Sequence, residues 1–174
     1  MSKRAYIGLG SNLSNASGDS TSILHQAVLA LRALNQGVTA VSSLYISAPM
    51  GPQDQPDYYN AALMIETSLN PLAMLDALQQ LEQDAGRVRL RHWGERTLDL
   101  DLLLMQDTQT GDLITWQDRR LTVPHPGIWL RSFVVQPLLE LDATLTIGDR
   151  MLRDSPAASD AQGIRILAGP TWAA

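Results

Sequence analysis

Leu98-Asp99-Leu100-Asp101-Leu102-Leu103-Leu104 is the stretch that decides how this chain folds. Alternate side chains of a strand point to opposite faces, so Leu98, Leu100 and Leu102 share one face. Asp99 and Asp101 then share the other, about 7 Å apart along the backbone. The pattern predicts a strand over 97–105. Two carboxylates side by side in an apolar strand repel each other and lose hydration. A divalent cation removes both penalties, and oxygen-only ligation suits magnesium. The alternative is an edge strand whose polar face is wet.

Immediately upstream, Gly86-Arg87-Val88-Arg89-Leu90-Arg91-His92-Trp93-Gly94-Glu95-Arg96 delivers four arginines and a histidine into the acidic strand. Arginine presents a planar fork of donors that matches phosphate oxygens. Magnesium-binding carboxylates beside arginines able to grip phosphate are the usual parts of phosphoryl transfer. The competing reading pairs these arginines with the aspartates, but the glycines bracket a loop in which fixed pairs are hard to hold. Trp93 is either a lid residue or a core anchor. Downstream, Arg119-Arg120-Leu121-Thr122-Val123-Pro124-His125-Pro126 fixes a histidine between prolines, with Arg131 and Phe133 shortly after. His125 either donates to a phosphate or ties down a turn.

Further out, 5–9 reads as a strand stopped by Gly10-Ser11-Asn12. A helix capped at Asp19 or Ser20 follows, with Ile23, Ala27, Leu31 and Leu34 at helical spacing and Gly37 as its stop. Segments 38–46 and 60–67 read as strands. Between them, 49–57 holds three prolines and a glycine, a loop too long for a hairpin turn. Tyr58 could stack on a heterocycle and Asn60 could read its edge. Asn70 and Pro71 open a second helix with Leu72, Leu75, Leu78 and Leu81 inward, and Gln79 and Glu82 on another stripe. Segment 121–123 begins a short strand, and 134–141 is a buried strand or a short helix. The order is βαββαβ with additions, an α+β antiparallel sheet with helices on one face. One domain over 1–148 and a peripheral or partly disordered tail over 149–174 are expected.

The 174 residues suit a single core, and the absence of cysteine excludes disulfides and zinc-thiolate sites. A net charge of −5 argues against a broad nucleic-acid surface, and no apolar run approaches a membrane span. Residues 5–9 are too short for a signal-peptide core, so a cytoplasmic protein is expected. Lys3 is the one lysine among the 13 basic side chains, which rules out a Walker phosphate loop.

Taken together, Gly8-Leu9-Gly10-Ser11-Asn12-Leu13, the run from Gly51 to Ala62, the segment 86–104, and 121–125 with Arg131 and Phe133 resemble the 6-hydroxymethyl-7,8-dihydropterin pyrophosphokinase family. The resemblance covers roughly residues 5–140. It implies a ferredoxin-like fold that transfers the diphosphate of ATP to the pterin's hydroxymethyl group, releasing AMP, in folate biosynthesis. It implies two magnesium ions on Asp99 and Asp101, and a pterin sandwiched by Tyr58 and Phe133 and bonded by Asn60, with Trp93 near it. Arg87, Arg96, His125 and Arg131 would reach the triphosphate; Gln79, Glu82, Arg89 and Thr122 would line the nucleotide side. Its partners would be small molecules only, with no nucleic acid and no membrane, and the chain would be a monomer. The sequence departs from the family pattern at His92, where arginine is common, and at Glu95 and Ala48, where proline is. Two other classes compete: a nucleic-acid module on the same sheet, which would want strand aromatics above a basic face, and a magnesium-dependent phosphohydrolase.

Overall fold

A computed structural model describes residues 2–12, 18–34, 37–48, 54–86, 97–160 and 163–174. Its elements run β1 (Lys3–Ser11), α1 (Ser20–Arg32), β2 (Gly37–Val41), β3 (Leu44–Ser47), β4 (Tyr58–Thr67), α2 (Pro71–Asp84) and β5 (Asp99–Asp107). Then come β6 (Leu113–Ile114), β7 (Trp116–Gln117), β8 (Thr122–Val123), a 3₁₀ turn (Ile128–Leu130) and α3 (Ser132–Leu141). Next are β9 (Thr146–Ile147), β10 (Arg150–Met151), a 3₁₀ turn (Leu152–Asp154), α4 (Pro156–Ser159), β11 (Ile164–Ala168) and a last 3₁₀ turn (Pro170–Ala173). The main sheet is antiparallel throughout, in the order β11-β3-β4-β1-β5-β6, with β2 also on β4.

The expected βαββαβ order holds, and the first two helices start where their caps dictate. Asp19 accepts from the Ser22 amide and Asn70 from the Ala73 amide, both at 2.9 Å, with Pro71 in the first turn of α2. The helices, however, lie on both faces. Ala5, Ile7, Leu9, Leu63, Ile65, Leu98, Leu100 and Leu102 pack under α1 and α2 in one core. Tyr6, Ala62, Leu103 and Leu104 meet Val134, Val135 and Leu138 of α3 in the second. Segment 134–141 is thus helical, and it closes the face that was expected to be bare.

Three further boundaries differ from expectation. Helix α1 ends at Arg32, and Gly37 opens β2 instead of stopping the helix. The strand expected over 38–46 breaks at Ser42-Ser43. There the Ser42 hydroxyl accepts from the Ala62 amide at 2.9 Å and donates to the Ser43 carbonyl at 2.8 Å, side-chain bonds that compete with the ladder. In β5 the register slips opposite Tyr6 and Ile7, so Leu103 and Leu104 both join the second core.

The segment beyond 149 is built into this frame. β11 pairs with β3 at the sheet edge, Leu152 is fully buried, and Trp172 donates its indole N–H to the Ser42 carbonyl at 2.8 Å.

Candidate active site

The register of three strands makes the floor of a cavity. Gly10 on β1 pairs with Asn60 on β4 and with Asp99 on β5; one step along, Gly8 pairs with Ala62 and Asp101. Residues directly opposite in a sheet share a face, so two rows cross it: Asn60–Gly10–Asp99 and Ala62–Gly8–Asp101. The glycines leave the middle strand without side chains in these two rows. A Cβ at Gly10 would meet Asn60 Oδ1 at 3.4 Å and Tyr58 Cδ1 at 3.9 Å; one at Gly8 would meet Leu103 at 3.4 Å. What lies above is a cavity of about 290 Å³.

Its lining brings together Tyr58, Asn60, Asp99, Asp101, His125, Arg131 and Phe133 from segments far apart in sequence. Tyr58 and Asn60 come from β4, Phe133 from the first turn of α3. Asn60 is buried, and its amide Nδ2 donates to Ser47 Oγ on the neighbouring β3 at 2.7 Å. That bond fixes the amide plane and leaves Oδ1 over Gly10. Ser47 was not singled out in the sequence; its signal would have been its cross-strand position beside Tyr58.

His125 is anchored from both ends. Its backbone N–H donates to the Leu103 carbonyl at 2.7 Å, and its Nδ1 accepts from the Gly127 amide at 3.0 Å. The neutral ring therefore carries its proton on Nε2, as a donor. Burial first, then the Arg131 guanidinium, holds its pKa below the usual histidine value, against a weaker opposite pull from Asp99. Gly127 makes room for this pair: a Cβ there would sit 2.9 Å from Arg131 Nε and 3.2 Å from His125 Cε1. Arg131 also stands 5.9 Å from the centre of the Phe133 ring.

Other expected site residues stand elsewhere. Gln79 is exposed on α2, where Oε1 accepts from Arg120 at 3.2 Å; the same guanidinium pairs with Asp76. Glu82 was expected on a stripe off the buried face, yet it is buried against the sheet. Its Oε2 accepts from the Leu100 amide at 2.8 Å, covering a backbone donor that β1 leaves unpaired. Neither lines the cavity, nor does Thr122 on β8. Arg87, Arg89, Trp93 and Arg96 lie outside the described residues, as do His92 and Glu95.

The donor set suits a hard cation. Asp99 and Asp101 are half-buried carboxylates on one face, at the wall of a cavity kept open by glycine. Among the described residues no third His, Cys, Asp or Glu joins them into a cluster. A cation held there would complete its oxygen shell from phosphate or water, as magnesium does.

Fold and cavity together define a ferredoxin-like α+β domain that binds a small molecule in a cavity between its sheet and the start of α3. Residues 6–143 match the model of the 7,8-dihydro-6-hydroxymethylpterin-pyrophosphokinase (HPPK) family. A Haemophilus influenzae protein named 2-amino-4-hydroxy-6-hydroxymethyldihydropteridine pyrophosphokinase is 50% identical over 144 residues, covering 82% of this chain and 84% of that one. A Pseudomonas aeruginosa protein of the same name is 43% identical over 171 residues, covering 97% and 99%. The chain belongs to the HPPK family. A crystal structure of Plasmodium falciparum HPPK-DHPS superposes with a TM-score of 0.64 at 14% identity, covering 88% of this chain but 44% of that longer one, a likeness of fold.

Proposed function

We propose that the chain transfers the diphosphate of ATP to the hydroxymethyl group of 6-hydroxymethyl-7,8-dihydropterin, releasing AMP, a step of folate biosynthesis. The observation that carries the reading is the pair of rows across the sheet. Asn60 at one end offers the hydrogen bonds a pterin edge needs. Asp99 and Asp101 at the other end offer the oxygens a nucleotide's cations need, with only glycine between.

The pterin lies on this floor between Tyr58 and Phe133, with Asn60 Oδ1 accepting from its edge. Asp99 and Asp101 hold two magnesium ions, which when bound offset phosphate charge and favour ionisation of the attacking hydroxyl. His125 donates from Nε2 to a phosphate oxygen and Arg131 pairs with the same group, so the chain orients the phosphorus for in-line attack. Arg87, Arg89 and Arg96 are assigned to the phosphates, Trp93 to the pterin side, and Gln79 and Thr122 to the nucleotide's far end. Glu82 contributes by bracing β5. In this reading the chain works as a cytoplasmic monomer on small molecules alone. No helix among the described residues is long and apolar enough to cross a membrane.

Mass analysis of the pterin incubated with ATP and magnesium tests this. The expected result is a pterin heavier by a diphosphate and one AMP per product. AMP or phosphate released without pterin product would make the chain a hydrolase and end the proposal.

A further inference from the structure

Glutamate in the last turn of a helix runs against the helix dipole, so Glu140 near the end of α3 needs a tertiary reason. It has one. Its Oε2 accepts from both the backbone N–H and the hydroxyl of Ser43 at 2.9 Å, and its Oε1 accepts from the Tyr45 hydroxyl at 2.6 Å. Ser43 and Tyr45 are buried, at 4% and 7% exposure. Burial and the Glu140 carboxylate push the Tyr45 hydroxyl well above its usual pKa, so it stays a donor.

Both ends of this clamp lead to the cavity. Along α3, Phe133 lies seven residues before Glu140, about two turns away and so on the same stripe of the helix. Along β3, Tyr45 pairs with Asn60 and Ser47 with Tyr58, and the Ser47 hydroxyl orients the Asn60 amide. One carboxylate therefore ties the helix bearing Phe133 to the strand that sets Asn60 and Tyr58. It does so at Ser43, beside the break between β2 and β3, where the Ser42 hydroxyl stands in for a backbone acceptor.

We propose that Glu140 is a positioning residue for pterin: its clamp on Ser43 and Tyr45 fixes the rotation of α3, and with it the gap between Phe133 and the Tyr58–Asn60 wall. This rests on the pterin placement proposed above. The competing role, plain structural cover for the Ser42-Ser43 break, lowers stability without distinguishing one ligand from another.

Titration separates the two, using 6-hydroxymethylpterin with saturating α,β-methylene-ATP and magnesium, and the nucleotide analogue alone. A misplacement of the wall by a fraction of an ångström in Glu140→Ala should raise the pterin Kd about tenfold and leave the nucleotide Kd within about twofold. Glu140→Gln should recover most of the loss, since an amide can still accept from Ser43 and donate to the Tyr45 oxygen. Tyr45→Phe, which deletes one hydroxyl and keeps the ring, should fall between, and it carries the comparison should Glu140→Ala fail to fold. Equal weakening of both ligands, or an unchanged pterin Kd, overturns the inference. Phe133→Ala is the control. Loss of pterin binding there but not in Glu140→Ala overturns the inference alone; no loss in either overturns the pterin placement too.

Discussion

The two faces of the sheet are built from the same strands to opposite ends. Under α1 and α2, residues 5, 7 and 9, 63 and 65, and 98, 100 and 102 are all apolar and buried. One residue out of step, residues 8 and 10, 60 and 62, and 99 and 101 are glycine, alanine, asparagine and aspartate around a cavity. Burial supplies most folding energy, and polar groups held out of water cost some of it back. The α1–α2 face is thus apolar along its whole length, while the α3 face is apolar only around Tyr6 and Leu104 and gives up burial at the cavity for chemistry. Substitutions one residue apart should then fall into separate classes of effect.

Asp101→Ala and Leu102→Ala are the sharpest test of that division. Removing the Asp101 carboxylate should lower diphosphate transfer by about a thousandfold or more, as loss of a preorganised charge-handling group does. The melting temperature should barely move. Wild-type-like turnover in that variant would defeat the assignment of the acidic pair. Leu102, with 2% exposure on the other face, should behave in the opposite way. Its truncation should cost about 2–5 kcal/mol in denaturant unfolding, with turnover per folded molecule within a few-fold of wild type. If Leu102→Ala were as inactive as Asp101→Ala while still folded, the faces would not be independent.

Gly10 sharpens the comparison from the cavity side. An added Cβ meets Asn60 Oδ1 at 3.4 Å, ordinary contact, so Gly10→Ala should be mild. Gly10→Val adds two methyl groups over the edge-reading amide. It should raise the pterin KM about tenfold, in line with the cost of overfilling a packed site. Equal pterin KM values in wild type and Gly10→Val would mean that the pterin lies elsewhere.

Much of this division was legible in the sequence because it depends on period. Leu98, Leu100 and Leu102 against Asp99 and Asp101 is a statement about alternation, and the strand obeys it. Asn70-Pro71 and Asp19 carry their caps locally. What escaped was set by tertiary partners. Leu103 and Leu104 share a face only because β5 slips against β1. The run 38–46 has strand composition throughout, but the Ser42 hydroxyl takes over ladder bonding from Ala62. Glu82 carries a charge that favours solvent, and the bond it accepts from the Leu100 amide exists only once α2 lies on the sheet. Segment 134–141 is ambiguous because it is short and mostly apolar, with Pro137 inside it. Its partners on β4 settle it as a helix. Asp99, Asp101, Tyr58, Asn60, His125, Arg131 and Phe133 were each nameable from sequence. The Gly8 and Gly10 register brings Asn60, Asp99 and Asp101 together, and the bond from His125 to Leu103 with the packing of α3 adds the rest, none of which a local pattern contains.

The smallest expected effect probes the cavity face at His125, which is bonded to Leu103 of β5. Its pKa is lowered by burial and by Arg131, and raised by Asp99. Deleting Arg131 as Arg131→Ala should therefore move the His125 titration upward in NMR, and Asp99→Asn should move it downward. The sign carries into stability. A histidine that binds its proton less readily when folded favours unfolding as pH falls from the free value, about 6.5, through the lower folded one. That acid-side loss should shrink in Arg131→Ala and deepen in Asp99→Asn, while stability above the free value is untouched by this group. Nucleotide binding should act like a stronger Asp99, raising the His125 pKa by placing phosphate charge beside Nε2. An unchanged titration on adding nucleotide would mean that His125 holds its turn and nothing more.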